Sequence, residues 1–130
     1  MQMIKDNVGA LIKNYQAVLQ FGLIFFLALG LWLALIPANI DLGFSLGDKV
    51  LHTFSFFVFA LWLNLASRRP FWPNKVSYLL FYGALIECLQ FVLPWRSFSV
   101  ADFIADALGI AFYWWLAYKL LPQWQSRKTR

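Results

Sequence analysis

Four apolar runs separated by short polar segments account for most of the chain. The first, Val18 to Ile36, is almost uninterrupted and is closed by Pro37. At ~1.5 Å rise per residue a helix of that length crosses a hydrocarbon core of ~30 Å. The second run begins at Asp48 and ends near Ala66, before Ser67, Arg68, Arg69 and Pro70. The third extends from about Val76 to Leu93, with Trp72 and Lys75 on one flank and Pro94 and Trp95 on the other. The fourth starts at Ser99, a residue suited to an N-cap, and ends near Leu121, before Pro122. The pattern predicts an all-α protein, a polytopic membrane four-helix bundle over residues 17–121 joined by three short loops.

Residues 1–16 precede this domain and place Ile4, Val8, Leu11, Ile12 and Tyr15 at helical spacing, with Lys5, Asp6, Lys13 and Asn14 elsewhere. Such an amphipathic segment is expected to lie on the membrane surface or to extend the first helix. The first run is longer than a signal-peptide core and no small-x-small site follows it, so cleavage is not expected. Residues 122–130 form a basic tail. In the first outer loop, Gly43 and Gly47 are expected to supply turns, or to let Ile40, Leu42, Phe44 and Leu46 lie against the bilayer as a partial lid.

Composition agrees, since 62% of the residues are hydrophobic and only 13% are charged. A soluble domain of this size would be left with large apolar patches on its surface. The net charge of +5 does not mark a nucleic-acid partner, because the basic residues are neither gathered on one helix nor interleaved with exposed aromatics. They sit between the apolar runs instead. Lys5, Lys13, Arg68, Arg69, Lys75, Lys119, Arg127, Lys128 and Arg130 fall on one side of the alternating spans, and Lys49 and Arg96 on the other. Positively charged segments resist translocation, so both termini and the middle loop are expected in the cytoplasm. Trp72 and Trp124 then fit the inner aromatic belt and Trp95 the outer one. Cys88 is the only cysteine, which excludes an intramolecular disulfide.

Ionisable side chains inside a span cost at least ~2.5–3.5 kcal/mol each on insertion scales. This chain gathers several toward one end. Asp48, Lys49 and His52 occupy the first turns of helix two, where spacings of three and four residues place both charged groups beside the imidazole. Glu87 and Gln90 share a face near the end of helix three; Arg96 lies in the third loop. Ser99, Asp102, Asp106 and Gly109 line one stripe of helix four. Glu87 and Asp106 each lie roughly 10 Å inside their helix ends, level with one another, and His52 roughly 6 Å below Asp48. Ala101, Ala105 and Gly109 form a small-residue ridge beside the acids, and Gly83 sits one turn from Glu87, which allows close helix approach. The acids are therefore expected to meet Lys49, Arg96 or His52 inside the bundle.

The ordered set Asp48-Lys49-x-x-His52, Glu87-x-x-Gln90 and Arg96-Ser97-x-Ser99-x-x-Asp102-x-x-x-Asp106-x-x-Gly109 resembles the VanZ-like family of bacterial integral membrane proteins. The resemblance covers residues 48 to about 112, and Asp106 stands where that family commonly has Asn. It implies a multi-pass protein of the bacterial cytoplasmic (inner) membrane working in the cell envelope. The family's name also carries a link to resistance to the glycopeptide teicoplanin.

The residues themselves suit binding of an anionic headgroup, of a membrane lipid or a lipid-linked envelope precursor. Lys49 and Arg96 would meet a phosphate, with Asp48, Gln90, Ser99 and Asp106 completing the site. The alternative is an intramembrane hydrolase or transferase acting on a headgroup, with His52 and Glu87 or Asp102 as acid and base. No nucleophile elbow or triad order surrounds Ser97 or Ser99. A metal version would join His52 with Glu87, Asp102 and Asp106, but no HExxH or CxxC spacing backs it. Neither metal nor cofactor is assigned. A proton path is a third class, ranked last because the polar residues stop at Asn64 in the other half and no broken helix is evident.

Overall fold

The computed structural model describes residues 2–37, 45–67 and 71–120, with the side chains of 13–37, 47–67 and 71–120. Four α-helices follow in order: α1 (Gln2–Leu35), α2 (Ser45–Ala66), α3 (Val76–Val92) and α4 (Val100–Leu120), with a tight turn over Phe71–Lys75 leading into α3. Four stretches, the third formed by α3 with its leading turn, are long and apolar enough to cross a membrane: Lys13–Leu35, Gly47–Ala66, Phe71–Val92 and Val100–Leu120. α2, α3 and α4 begin, and α1, α2 and α3 end, within a few residues of the expected positions, where Pro or a polar turn interrupts the apolar run. The N-terminal segment is part of α1, one continuous helix. The proposed lid over residues 40–46, Arg68, Arg69 and the basic tail lie outside what is described, apart from the first residues of α2.

The helices alternate in direction, so α1 and α3 finish at the end where α2 and α4 begin. That end is called the polar end below. Around the bundle the order is α1, α2, α4, α3: the parallel helices α2 and α4 form the most intimate pair, and α1 packs on α2 and α3 without touching α4 among the described residues. The core is aromatic and aliphatic, built on Phe56, Phe59, Ala60, Leu79, Ile86, Ile110 and Tyr113. Outward-facing positions are as apolar as the core. Phe21, Phe25, Phe54, Phe81 and Phe91 are all exposed, as expected where the surrounding solvent is hydrocarbon.

Two small residues fix the approach of α4 to its neighbours. A Cβ on Gly109 would overlap the Thr53 carbonyl oxygen of α2, so the two backbones touch there. A Cβ on Gly83 would come within 2.7 Å of Asp106 Oδ2. Gly109→Ala is accordingly expected to destabilise the detergent-solubilised protein by about 1–3 kcal/mol, the usual cost of overpacking. Gly47→Ala, with nothing within 4 Å of the added carbon, should leave the unfolding midpoint unchanged. A denaturation series on the two variants checks both outcomes.

Candidate functional site

The seam between α2 and α4 carries three successive contacts, because parallel helices in register present side chains at matching heights. Lys49 Nζ lies 3.3 Å from Asp102 Oδ1 in an ion pair. His52 Nδ1 lies 2.7 Å from Asp106 Oδ1. Thr53 Oγ1 donates to the Ala105 carbonyl at 3.1 Å. Exposure falls with depth: the Lys49 side chain is 34% exposed, that of Asp102 9%, and that of Asp106 0%. Asp106 is thus enclosed as completely as the core residue Phe56, and His52 is held between it and the membrane boundary. With Nδ1 engaged, Nε2 is the ring nitrogen left for other chemistry.

Glu87 follows a different course. It is buried on α3, and its Oε2 accepts a 2.8 Å hydrogen bond from the Ser99 backbone N–H. Among the described residues it forms no ion pair, contrary to the expectation of a cation for this acid. The N-terminus of α4 takes its place, since the first N–H groups of a helix lack intrahelical partners and carry partial positive charge. Ser99 in turn caps α4 as expected, its Oγ accepting from the Asp102 N–H at 3.2 Å.

Gln90 and Arg96 are turned toward α1. Gln90 Nε2 donates to the Ala34 carbonyl at 2.9 Å, and Arg96 Nη2 to those of Leu33 and Ile36 at 3.2 and 3.0 Å. Trp95 Nε1 adds a bond to the Leu35 carbonyl at 2.9 Å. These are the carbonyls a helix leaves unpaired at its C-terminus, and a cation there complements the dipole. α1 has no basic residue in its own last turn, so Arg96 supplies that charge from the loop between α3 and α4.

The sequence-selected residues therefore divide into two groups. Asp48, Lys49, His52, Asp102 and Asp106 gather on the α2–α4 seam; Glu87, Gln90, Arg96 and Ser99 fasten helix ends. Asp48, His52 and Asp102 offer ligand atoms within 4.8 Å of one another, a different set from the His52, Glu87, Asp102 and Asp106 considered from sequence. Thr53, at i+4 from Lys49, escaped notice because a lone Thr in an apolar helix is common. Lys75, read as a flanking charge, is buried at the opposite end and donates to Asn64 Oδ1 and the Ser67 carbonyl, each at 2.7 Å. Asn64 Nδ2 reaches Tyr113 Oη at 3.0 Å, and buried Ile110 lies between Tyr113 and Asp106 on α4.

On the lipid-facing side of the seam a groove of about 630 Å³ runs between α2 and α4. Lys49 stands at its polar end, Phe57 and Phe112 at the other, and among the described residues Thr53 is the only further polar one in its lining.

A family model described as VanZ/LLP1 matches residues 4–121, including all four helices and every residue of the seam. The chain belongs to the VanZ/LLP1 family. It is a multi-pass membrane protein by the four apolar helices that the match contains. No curated protein and no solved structure matches the chain. Within this VanZ/LLP1 domain His52, Glu87, Asp102 and Asp106 each meet a neighbouring element.

His52 and Asp106 form one unit in a dry interior, so removing either leaves the other buried without its partner. His52→Ala and Asp106→Ala should each destabilise the protein, with a double-mutant cycle giving a coupling of about 1–3 kcal/mol. Additive losses in detergent denaturation would show that the contact carries no energy.

Proposed function

We propose that this VanZ/LLP1 protein binds the anionic headgroup of a membrane lipid or lipid-linked envelope precursor at the polar end of the α2–α4 seam. The observation that carries the reading is the position of Lys49. Its ammonium is the outermost cation of the seam, partly exposed, with Asp102 behind it at 3.3 Å. An ammonium on a flexible four-carbon stem presents its charge to several oxygens at once, so a phosphate oxygen can join the acid already beside it. Asp48 and Asp102 then orient the ammonium, and His52, fixed by Asp106, stands one turn below as a hydrogen-bonding neighbour. Arg96, which donates to α1, serves the shape of the site. In this reading the polar end faces the extracytoplasmic side of a bacterial inner membrane, the orientation that the distribution of basic residues favours.

A second reading has one observation in its favour, the 2.7 Å contact of His52 Nδ1 with a wholly buried Asp106. A carboxylate in that position sets the imidazole's orientation and supports a general-base role for Nε2 on a headgroup. In that reading His52→Gln and Asp106→Asn abolish headgroup hydrolysis or transfer by folded protein reconstituted with lipid phosphates. Absence of any turnover by the wild type removes it.

For the binding reading, the expected outcome is preferential retention of phosphatidic acid over phosphatidylcholine in native mass spectrometry of the detergent-solubilised protein. Lys49→Ala should weaken that retention about tenfold, the loss of one charge-assisted hydrogen bond, while Lys49→Arg retains it. Undiminished retention by Lys49→Ala refutes the reading.

A further inference from the structure

The groove beside the seam has a length, a lining and an end that suit one kind of occupant. It runs from Lys49 to Phe57 along α2 and from Ala101 to Phe112 along α4, roughly 12–16 Å at helical rise. That is the depth of one leaflet, half of a hydrocarbon core of ~30 Å. Thr53 spends its hydroxyl proton on the Ala105 carbonyl, so below Lys49 the lining has no donor directed at a ligand. Ala101 and Ala105 leave the space that larger side chains would fill. The far end is closed by Phe57 and Phe112, whose ring centroids are 5.6 Å apart.

We propose that this α2–α4 groove seats one hydrocarbon chain of an anionic phosphate-bearing lipid, so that the chain lies along the lipid-facing side of the seam while its headgroup meets Lys49. The proposal rests on the headgroup reading above and adds to it that the ligand is recognised as a lipid, by its tail as well as by its charge. Charge complementarity exists only at the mouth, and dispersion contacts exist only along the shaft. A soluble anion would use the first alone and a neutral lipid the second alone, while a zwitterionic lipid brings its own cation to its phosphate and gains less from Lys49. An anionic lipid uses both at once, which distinguishes it from the lipids that merely surround the bundle.

The test uses the full chain in nanodiscs of phosphatidylcholine doped with phosphatidic acid or phosphatidylcholine bearing a diazirine midway along one acyl chain. After illumination, the cross-linked peptides are located by mass spectrometry. Phosphatidic acid should label residues 50–57 and 101–112 about tenfold more than the α1 and α3 surfaces, and labelled phosphatidylcholine should show no such bias. Ala101→Phe with Leu108→Trp fills the groove at two exposed positions, so the core is untouched. This variant should lose the bias while keeping the near-normal unfolding midpoint of the wild type. Even labelling of all four helices by wild-type protein overturns the proposal, as does an undiminished bias in the filled variant. The two readings part as follows: if the filled variant keeps its preference for phosphatidic acid and Lys49→Ala loses it, the headgroup reading stands and the groove proposal falls. If the wild type shows no preference for phosphatidic acid at all, the headgroup reading fails and takes the groove proposal with it.

Discussion

A polar group placed in hydrocarbon has no water to turn to, so its partner must come from the protein itself. The α2–α4 seam answers that constraint for two of the buried acids and sets the spacing of everything around it. His52 and Asp106 can lie 2.7 Å apart only if the two helices nearly touch, and they touch because Gly109 lets α4 rest on the Thr53 carbonyl. The close approach in turn aligns Lys49 with Asp102 one turn outward. Steric permission and electrostatic demand therefore act on the same pair of helices, and neither would hold them in register alone.

The same constraint explains how α1 is attached. From Phe21 to Ile36 this helix offers no side-chain hydrogen-bonding group except the Trp32 indole, so its neighbours address its main chain. Trp62 donates to the Leu19 carbonyl at 2.8 Å and Tyr82 to that of Leu27 at 2.6 Å, with Gln90, Trp95 and Arg96 taking the last carbonyls. A carbonyl oxygen has two lone pairs and can accept a second bond without releasing the helix's own. Gln16 and Gln20 of α1 act in the reverse sense at the other end, both donating to the Ala66 carbonyl at the end of α2. Residues that looked like parts of a ligand site thus also serve as fasteners, and Arg96 is the clearest case.

Polar residues at the two ends accordingly do different work. At the polar end, charge on the α2–α4 seam reaches the surface through Lys49 and adjoins an apolar groove, an arrangement suited to an amphiphile. At the opposite end Lys75, Asn64 and Tyr113 are turned inward, and Lys75 closes the last turn of α2 by bonding to its carbonyls. Ile110 and Phe56, each 2% exposed, pack in the core between these regions, so the described side chains make two separate polar clusters.

The four spans and the charged residues of the seam could be read from the sequence. An apolar run of about twenty residues has one favourable conformation in a bilayer, and any acid within it must face protein. Family resemblance over residues 48–112 followed from the same residues, and the matched region extends it to residues 4–121. Which acid meets which partner could not be read, because it depends on how far each helix is rotated about its axis and which helix lies beside it. Asp102, Asp106 and Glu87 look alike along the chain, yet the first found an ammonium, the second an imidazole and the third a helix N-terminus. The tertiary structure alone also made the groove, since a gap between α2 and α4 is a property of two surfaces and is written in neither helix by itself.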